Sequence, residues 1–300
     1  MTLVDGIIAT SVLLAPAIVL TAMGGLLHQR SGVVNIALEG LILAGALVGL
    51  VVADATGSTL GGVAAAVSVG AVLGWAYSAV ITRLGGNMII VGLGFNFLVL
   101  GAAGLFLVQT FGSRSSFRPS ERLFLPALGL DFLAGVPVLG PLLARNDVIV
   151  WLTIPIVALV AFILDRTTWG LRLRAVGADP VASTNLGLNV RGLQDSAGAA
   201  AGALAALGGA HLAVGATGLF STGMSAGRGY IALTAIYFGC TRPWVTTVAC
   251  LVYVVADAVQ GRLQLQLPWI PVRLVQVLPY VAVIVVLILA QLTSKRRRIA

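Results

Sequence analysis

Hydrophobic residues form long runs along most of this chain, and short polar stretches separate the runs. Because a hydrocarbon core of roughly 30 Å is crossed by about 20 helical residues, each run of that length predicts a transmembrane helix. The runs cover 6–27, 33–53, 58–82, 87–109, 148–164, 194–214, 243–261 and 271–292, and a shorter run covers 228–240. The pattern therefore predicts an all-α fold, a polytopic transmembrane helical bundle of about 8–10 spans.

The composition agrees with this pattern. With 59% hydrophobic and 9% charged residues, the chain cannot present the surface of an ordinary soluble domain. The alternation typical of a membrane barrel is absent. The first run has no basic n-region and no A-x-A-like cleavage site, so we expect it to be retained as a span. We predict one transmembrane domain over residues 1–300.

In a soluble protein, the net charge of +8 would indicate binding to nucleic acid. In a membrane protein, positive residues first indicate which loops lie in the cytoplasm. The basic tail at 293–300 follows the last run directly, and the positive-inside rule places it in the cytoplasm. Counting spans backward puts the loop 165–193 inside as well, and it puts the loop 110–147 outside. The amino terminus is then external. We therefore expect contacts with membrane lipid and none with nucleic acid.

Two polar stretches that open apolar runs are similar to each other. They are QRSGVVNIALEG, which contains Gly32, and SAGRGYIALTAIYFG, which contains Gly227. Placing Gly32 on Gly227 also superimposes the Ile-Ala-Leu triplet that follows in each stretch. The predicted topology makes the two stretches cross the membrane in opposite directions. This indicates an inverted internal repeat whose broken helices meet near the bilayer midplane and form a site there.

Polar side chains within the apolar runs mark a candidate pathway, because a lipid-facing carboxylate would cost several kcal/mol. An unwound segment with hydroxyls, aromatic rings and an arginine suits a polar planar or hydroxylated ligand. The Gly-rich segment GATGLFSTGMSAGRGY could equally be an external loop between ordinary spans, and buried polar residues often bond only to neighbouring helices. The candidate pathway residues are Asn35, Glu39, Asn96, Thr222, Arg228, Tyr230 and Asp257.

The loop 165–193 encodes a short helix. Asp179 can cap its start, Pro180 suits its first position, and Gly187 suits the residue beyond its end. Two interpretations remain open on physical grounds. The helix could lie at the membrane surface with its arginines near anionic headgroups, or it could insert into a soluble partner.

Several chemistries are absent from the sequence. The chain contains one lysine, in the tail, so it has no P-loop for ATP. His28 and His211 are far apart and form no HExxH motif, and no GxSxG elbow occurs. Cys240 and Cys250 lack CxxC spacing and are predicted to be buried, inert thiols. We therefore expect no metal site and no catalytic residue, and a membrane enzyme is the least favoured class.

Four motifs together resemble a known family: QRSGVVNIALEG, GLRLRAVGADPVASTNLGLNV, MSAGRGYIALTAIYFG and LPYVAVIVVLIL. They resemble the ABC-importer permeases of the branched-chain amino acid and ribose superfamily. They look most like the nucleoside permeases that work with basic-membrane-lipoprotein-type binding proteins. The resemblance implies a multi-pass subunit of the bacterial cytoplasmic (inner) membrane. It also implies a second homologous permease, a cytoplasmic ABC ATPase and an extracytoplasmic substrate-binding lipoprotein as partners.

The resemblance also implies how transport is driven. ATP and Mg²⁺ would bind to the partner ATPase, and this chain itself would hold no cofactor. In the family the loop corresponding to 165–193 touches the ATPase, and its movement rocks the repeats between outward and inward access. The coupling residues implied here are Gly170, Arg172, Arg174, Gly177, Asp179 and Pro180.

The resemblance implies purine nucleosides as the first choice of substrate. Ribose-like sugars and branched-chain amino acids are the alternatives within the same class of permease. An ATPase-independent secondary transporter or channel is a further alternative, because an inverted repeat alone would also fit it.

Overall fold

The structure is a computed structural model that describes residues 3–112, 115–119, 125–126 and 147–266. Within these ranges the fold is almost entirely helical, which confirms the predicted all-α class. The helices are α1 (Leu3–Arg30), α2 (Leu38–Thr56), α3 (Thr59–Leu84), α4 (Met88–Phe111), α5 (Val148–Arg166), α6 (Thr168–Ala178), α7 (Pro180–Asn185), α8 (Val190–Ala210), α9 (Arg228–Phe238) and α10 (Pro243–Gln266). A π-helical segment, His211–Thr217, continues α8, and the short strands β1 (Ser116–Phe117) and β2 (Phe220–Ser221) pair antiparallel.

Seven helices among the described residues are long and apolar enough to cross a membrane: α1 to α5, α8 with its π-helical segment, and α10. They coincide with seven of the predicted runs. The run 228–240 forms α9, which is too short to span. The run 271–292 and the tail 293–300 lie outside the described residues.

Helix α8 lies at the centre of the bundle and is the most buried of the spans. Its contact with α3 is very close because glycines face each other across it. A Cβ built on Gly74 would lie 2.8 Å from the Gly202 Cα. On another side of α8, a Cβ on Gly45 of α2 would overlap the backbone of Ala206. Small residues of this kind let backbones approach where lipid supplies no hydrophobic drive for association.

We expect the substitution Gly202→Ala to lower the melting temperature of the detergent-solubilised protein. The added Cβ would overlap the carbonyl oxygen of Gly70 and lie 2.8 Å from the Cα of Gly74. Overpacking of this kind typically costs about 1–3 kcal/mol. The matched control is Gly101→Ala in α4, where a Cβ would meet nothing within 4 Å. Equal melting temperatures for the two variants would contradict the close packing of α3 and α8.

Several helix ends meet at one end of the bundle, which we call the α6–α7 end. The guanidinium of Arg30, at the end of α1, donates two hydrogen bonds of 2.7 and 3.0 Å to the carbonyl oxygen of Thr241, just beyond α9. Arg83, near the end of α3, forms an ion pair of 2.7 Å with Asp195, near the start of α8. The ends of α1, α3, α5 and α9 and the start of α8 therefore share this end with α6 and α7.

Two segments interrupt the helices. The first break (31–37) joins α1 to α2, and the second break (218–227) joins the π-helical segment to α9. With 11 residues, α9 is about 16 Å long, roughly half of a 30 Å hydrocarbon core. Because α9 ends at the α6–α7 end, its start lies near the middle of the bundle.

The two breaks are related as the sequence repeat predicts. The aligned residues Gly32 and Gly227 both adopt left-handed backbone conformations, with φ of +88° and +79°, which glycine does readily. Helix α2 runs away from the α6–α7 end and α9 runs towards it. The breaks differ in length: Arg228 aligns with Val33, yet α2 begins only at Leu38. The predicted span 33–53 therefore starts too early.

Candidate functional site

Glu39 joins the two breaks. It lies in the first turn of α2, and its carboxylate accepts hydrogen bonds from the backbone N–H groups of Gly227 (2.8 Å) and Gly229 (2.7 Å). These N–H groups are at the start of α9, where a helix leaves donors unpaired and carries positive partial charge. A Cβ on Gly229 would overlap the backbone of Glu39, so only glycine allows this approach. Glu39 from the first half therefore caps a helix of the second half.

Asn96 of α4 also connects the start of α2 to the start of α9. Its Oδ1 accepts a hydrogen bond from the Gly40 N–H (2.8 Å), at the start of α2. Its Nδ2 donates to the Ile36 carbonyl (2.9 Å) and to the Tyr230 hydroxyl (3.0 Å). Both ends of the Asn96 amide are therefore bonded, and they connect the first break and the start of α2 to the start of α9.

Tyr77 of α3 is a third contact, which sequence reasoning missed. It is 1% exposed, and its hydroxyl accepts a hydrogen bond from the Ile36 N–H (3.3 Å). The same hydroxyl lies 3.1 Å from the Val34 carbonyl oxygen and 3.2 Å from that of Met88. A buried tyrosine hydroxyl usually needs a partner, and that was the one available signal. The sequence could not show that the partner is the first break.

Asn35 lies within the first break and not at a helix start as expected. It is fully buried, and its Oδ1 accepts a hydrogen bond from the Ala37 N–H (3.0 Å). Its Nδ2 has no hydrogen-bond acceptor among the described residues. Asn35 therefore shapes the break locally and does not line the pocket described next.

A pocket of about 250 Å³ lies between the start of α2, α4, the second break and the start of α9. It brings together four of the predicted pathway residues: Glu39, Asn96, Thr222 and Tyr230. Phe97 also lines it, and the side chains of Phe97 (71% exposed) and Tyr230 (41% exposed) present aromatic surface. The pocket thus combines aromatic faces with hydroxyl groups.

Arg228 and Asp257 come together beside this pocket and do not line it. The Arg228 Nη2 lies 3.8 Å from the Asp257 Oδ2, and the Arg228 Nη1 donates to the Met224 carbonyl at 2.8 Å. The pair ties the start of α9 to α10. These two predicted pathway residues therefore form a long ion pair, and the Arg228 Nε has no hydrogen-bond partner among the described residues.

The loop 165–193 contains the predicted helix, α7. The Asp179 carboxylate accepts a hydrogen bond from the Ala182 N–H (2.9 Å), Pro180 is the first helical residue, and Gly187 is left-handed with φ of +79°. The sequence analysis did not predict α6, which precedes α7. The signal was Thr167, whose hydroxyl accepts a hydrogen bond from the Gly170 N–H at 3.1 Å. Gly170 is buried against the end of α5.

Helix α6 packs directly on the first break through Gly177. A Cβ on Gly177 would overlap the carbonyl oxygen of Arg30 and lie 3.1 Å from the Gly32 nitrogen. Arg174 of the same helix is half-buried, whereas Arg172 is exposed. The six predicted coupling residues thus lie together at the α6–α7 end, and one of them, Gly177, contacts the first break.

The α6–α7 end also exposes large apolar side chains. Leu171 is 61% exposed, Val181 71% and Leu186 81%. Beside them, a groove lined by Trp169 and Arg172 runs between α6 and the start of α8. Exposed apolar residues next to charged ones are typical of a surface that contacts another protein.

The fold and these two regions define a membrane transport subunit. Residues 7–287 match the family described as the permease component of branched-chain amino acid transport systems, and the chain belongs to this family. It is a multi-pass ABC-transporter permease subunit of the bacterial inner membrane, and it is a transport component rather than an enzyme. Permeases of this family work with ATPase and substrate-binding partners.

Three relatives illustrate the range of the family. The nucleoside ABC transporter permease protein NupC of Lactococcus lactis is 31% identical over 94% of this chain and 91% of its own length. The guanosine ABC transporter permease protein NupQ of Bacillus subtilis is 31% identical over 78% and 75%. The putative glucose ABC transporter permease protein TsgC13 of Haloferax volcanii is 29% identical over 88% and 79%. No solved structure matches the chain.

Proposed function

We propose that this permease forms the translocation path for nucleosides, with purine nucleosides as the first choice. The observation that carries the proposal is the pocket between the starts of α2 and α9, where Phe97, Tyr230 and Thr222 combine aromatic faces with hydroxyls. A planar base can stack on the rings, and the ribose can bond to the hydroxyls. Two of the relatives, NupC and NupQ, are named as nucleoside and guanosine permeases, which supports this choice.

The charges around the pocket favour a neutral ligand. Among the described residues that line the pocket, Glu39 is the one carboxylate, and the start of α9 already engages it. Arg228, the nearest predicted cation, pairs with Asp257. A nucleoside or a sugar therefore fits better than an amino acid zwitterion or a nucleotide, because each of these would bring charge without a free counter-charge.

A hexose is the second candidate, since TsgC13 is named as a putative glucose permease. A sugar would use the hydroxyl of Thr222 but would leave the exposed Phe97 ring without a planar partner. The aromatic part of the pocket therefore favours the nucleoside.

Labelled guanosine uptake tests the proposal in cells that express the whole transporter, with and without this chain. We expect uptake to be lost on deletion, and we expect unlabelled adenosine to compete while excess glucose, ribose or leucine does not. Re-expression of the chain is the control for effects on neighbouring genes. Unchanged guanosine uptake after deletion would overturn the nucleoside assignment, and competition by glucose would favour the sugar.

We place a second permease against the open side of the pocket. Helix α4 is the least buried span among the described residues, and it carries the exposed Phe97 and Leu100 at the pocket opening. One chain therefore leaves the path open on one side. A homologous permease would close it, while lipid covers the remaining apolar surface.

We place the ATPase at the α6–α7 end, with ATP and Mg²⁺ held in that subunit and no cofactor in this chain. Arginines cluster at this end, and the positive-inside rule then makes it cytoplasmic and makes the amino terminus external. The exposed Leu171, Val181 and Leu186 supply an apolar contact surface. A substrate-binding lipoprotein would deliver the ligand at the opposite, external end.

The six coupling residues divide into three roles in this proposal. Gly170 and Gly177 allow α6 to pack closely on α5 and on the first break. Asp179 and Pro180 start α7. Arg172 and Arg174 supply positive charge on α6, which we expect to face acidic groups of the ATPase.

A further inference from the structure

We propose that the first break (31–37) transmits movement of α6 to the pocket. In this proposal Tyr77 is the positioning residue that keeps the backbone of the break in place. The inference rests on the proposed function. It assigns a role to a segment that the pathway residues include only through Asn35, and to a buried side chain, Tyr77, that neither the pathway nor the coupling residues include.

The break touches the coupling loop directly at its beginning. Gly177 of α6 packs on the Arg30 carbonyl and on Gly32, with no side chain between the two backbones. Gln194, at the start of α8, donates a hydrogen bond of 3.1 Å to the Ser31 carbonyl. A displacement of α6 is therefore applied to backbone atoms of the break and is not absorbed by flexible side chains.

The break touches the pocket at its other end. The Ile36 carbonyl accepts a hydrogen bond from Asn96, and the same Asn96 nitrogen donates to the Tyr230 hydroxyl. Tyr230 lines the pocket. Asn96 thus shares one amide group between the break and a pocket residue, and a shift of Ile36 changes the position of Tyr230.

Between these contacts two groups hold the backbone of the break from outside: the His28 carbonyl, which accepts a hydrogen bond from the Val33 N–H (3.3 Å), and the Tyr77 hydroxyl. The segment is not helical, so external partners satisfy its backbone, and the Tyr77 hydroxyl reaches both the Ile36 N–H and the Val34 carbonyl. The ring of Tyr77 makes edge contacts with His28 and Phe95 at centroid distances of 6.1 and 6.0 Å. The Tyr77 ring is thus held in place by its neighbours, and its hydroxyl is the part that forms hydrogen bonds with the break.

One hydrogen bond of the break is unmade in this conformation. The buried Asn35 Nδ2 has no acceptor among the described residues, and a buried donor without an acceptor costs free energy. A second position of the break that offers this donor an acceptor would recover part of that cost. The segment therefore has a physical reason to occupy two arrangements.

The first test is Tyr77→Phe in the complete transporter, reconstituted in liposomes with its ATPase, partner permease and binding protein. The ring and its packing are kept, and only the hydroxyl is lost. Because the loss of these hydrogen bonds is worth about 1 kcal/mol, we expect about fivefold less guanosine transported per ATP hydrolysed. ATP hydrolysis itself stays near the wild-type rate. The control is Tyr237→Phe, which removes a hydroxyl from a half-exposed tyrosine of α9.

The ratio of transport to hydrolysis separates positioning from general stability. If uptake and hydrolysis fall together in Tyr77→Phe, the residue is only structural and the inference is overturned. The inference is also overturned if Tyr77→Phe leaves guanosine transport, ATP hydrolysis and their ratio unchanged.

A second test does not depend on the substrate. We introduce Val34→Cys into a Cys240→Ser, Cys250→Ala background and measure its maleimide labelling rate in the complex with and without ATP and vanadate. We expect the rate to change at least about threefold with nucleotide and expect Gly177→Ala to abolish that change. A nucleotide-independent rate, in a complex that still imports guanosine, would refute transmission through the break. A nucleotide-dependent rate without guanosine uptake would refute the nucleoside assignment and leave the transmission intact.

Discussion

Replacing Glu39 by glutamine is expected to reduce nucleoside uptake about tenfold, because hydrogen bonds to a charged group contribute about 1.5–3 kcal/mol and a glutamine keeps only one acceptor oxygen. In the wild type both carboxylate oxygens are used, one by the Gly227 N–H and one by the Gly229 N–H. The NH₂ group of the glutamine would face one of these donors. The negative charge that complements the start of α9 would also be lost.

Uptake per inserted protein is the measurement, with insertion followed by membrane quantification and by melting in detergent. The matched control is Asp54→Asn, which removes a carboxylate near the other end of the same helix, α2. We expect that control to retain wild-type uptake. Full uptake by the Glu39→Gln variant would show that the cap on α9 is dispensable and that the two breaks need not be locked together.

The spans could be predicted from the sequence because a membrane core demands about twenty apolar residues per helix, and that requirement is local. The breaks could be predicted for a related reason. Gly32 and Gly227 sit in polar stretches that an uninterrupted span does not tolerate, and both adopt the left-handed conformation. The start of α2 was placed too early because Val33 and Val34 are apolar, although the backbone there is not helical and the Val34 carbonyl accepts a hydrogen bond from the Tyr77 hydroxyl.

The partners within the site could not be predicted, because they depend on which helices become neighbours. The cost of Glu39 in lipid shows that it needs a partner, but water, a ligand and a helix start would all serve. The actual partners, at Gly227 and Gly229, are far away in the sequence. Asn96 was predicted as a pathway residue on the same grounds, and the structure adds that its amide bonds to the first break, to the start of α2 and to the start of α9.

The burial of Cys240 also could not be predicted from its neighbours in the sequence. Apolar neighbours predicted a buried thiol, and this is right for Cys250 but wrong for Cys240, which is exposed. Cys240 follows the end of α9 in a tight turn with a positive φ of 47°. The turn directs it to the surface at the α6–α7 end, so hydrophobic context alone did not decide its burial.

The double substitution Asp179→Ala, Pro180→Gly is expected to abolish transport while the protein remains inserted in the membrane. Asp179 supplies the hydrogen bond that starts α7, and Pro180 presets the first helical residue. Loss of an N-cap costs about 0.5–2 kcal/mol, and a helix of six residues has little stability of its own to offset that loss. We expect guanosine uptake to fall more than about tenfold, since α7 would no longer present a defined shape to the ATPase.

Ser58→Ala is the control for this double substitution, because it removes another helix cap at a different place. The Ser58 hydroxyl accepts a hydrogen bond from the Gly61 N–H (3.2 Å) at the start of α3, at the opposite end of the bundle from α6 and α7. Both variants lose a cap of the same kind, but only one lies where we place the ATPase. Uptake should survive in Ser58→Ala and fail in the double variant, with the melting temperatures of both close to wild type. If the double variant still imports guanosine at the wild-type rate per inserted protein, α7 has no part in coupling, and the contact with the ATPase must be sought in the exposed face of α6 instead.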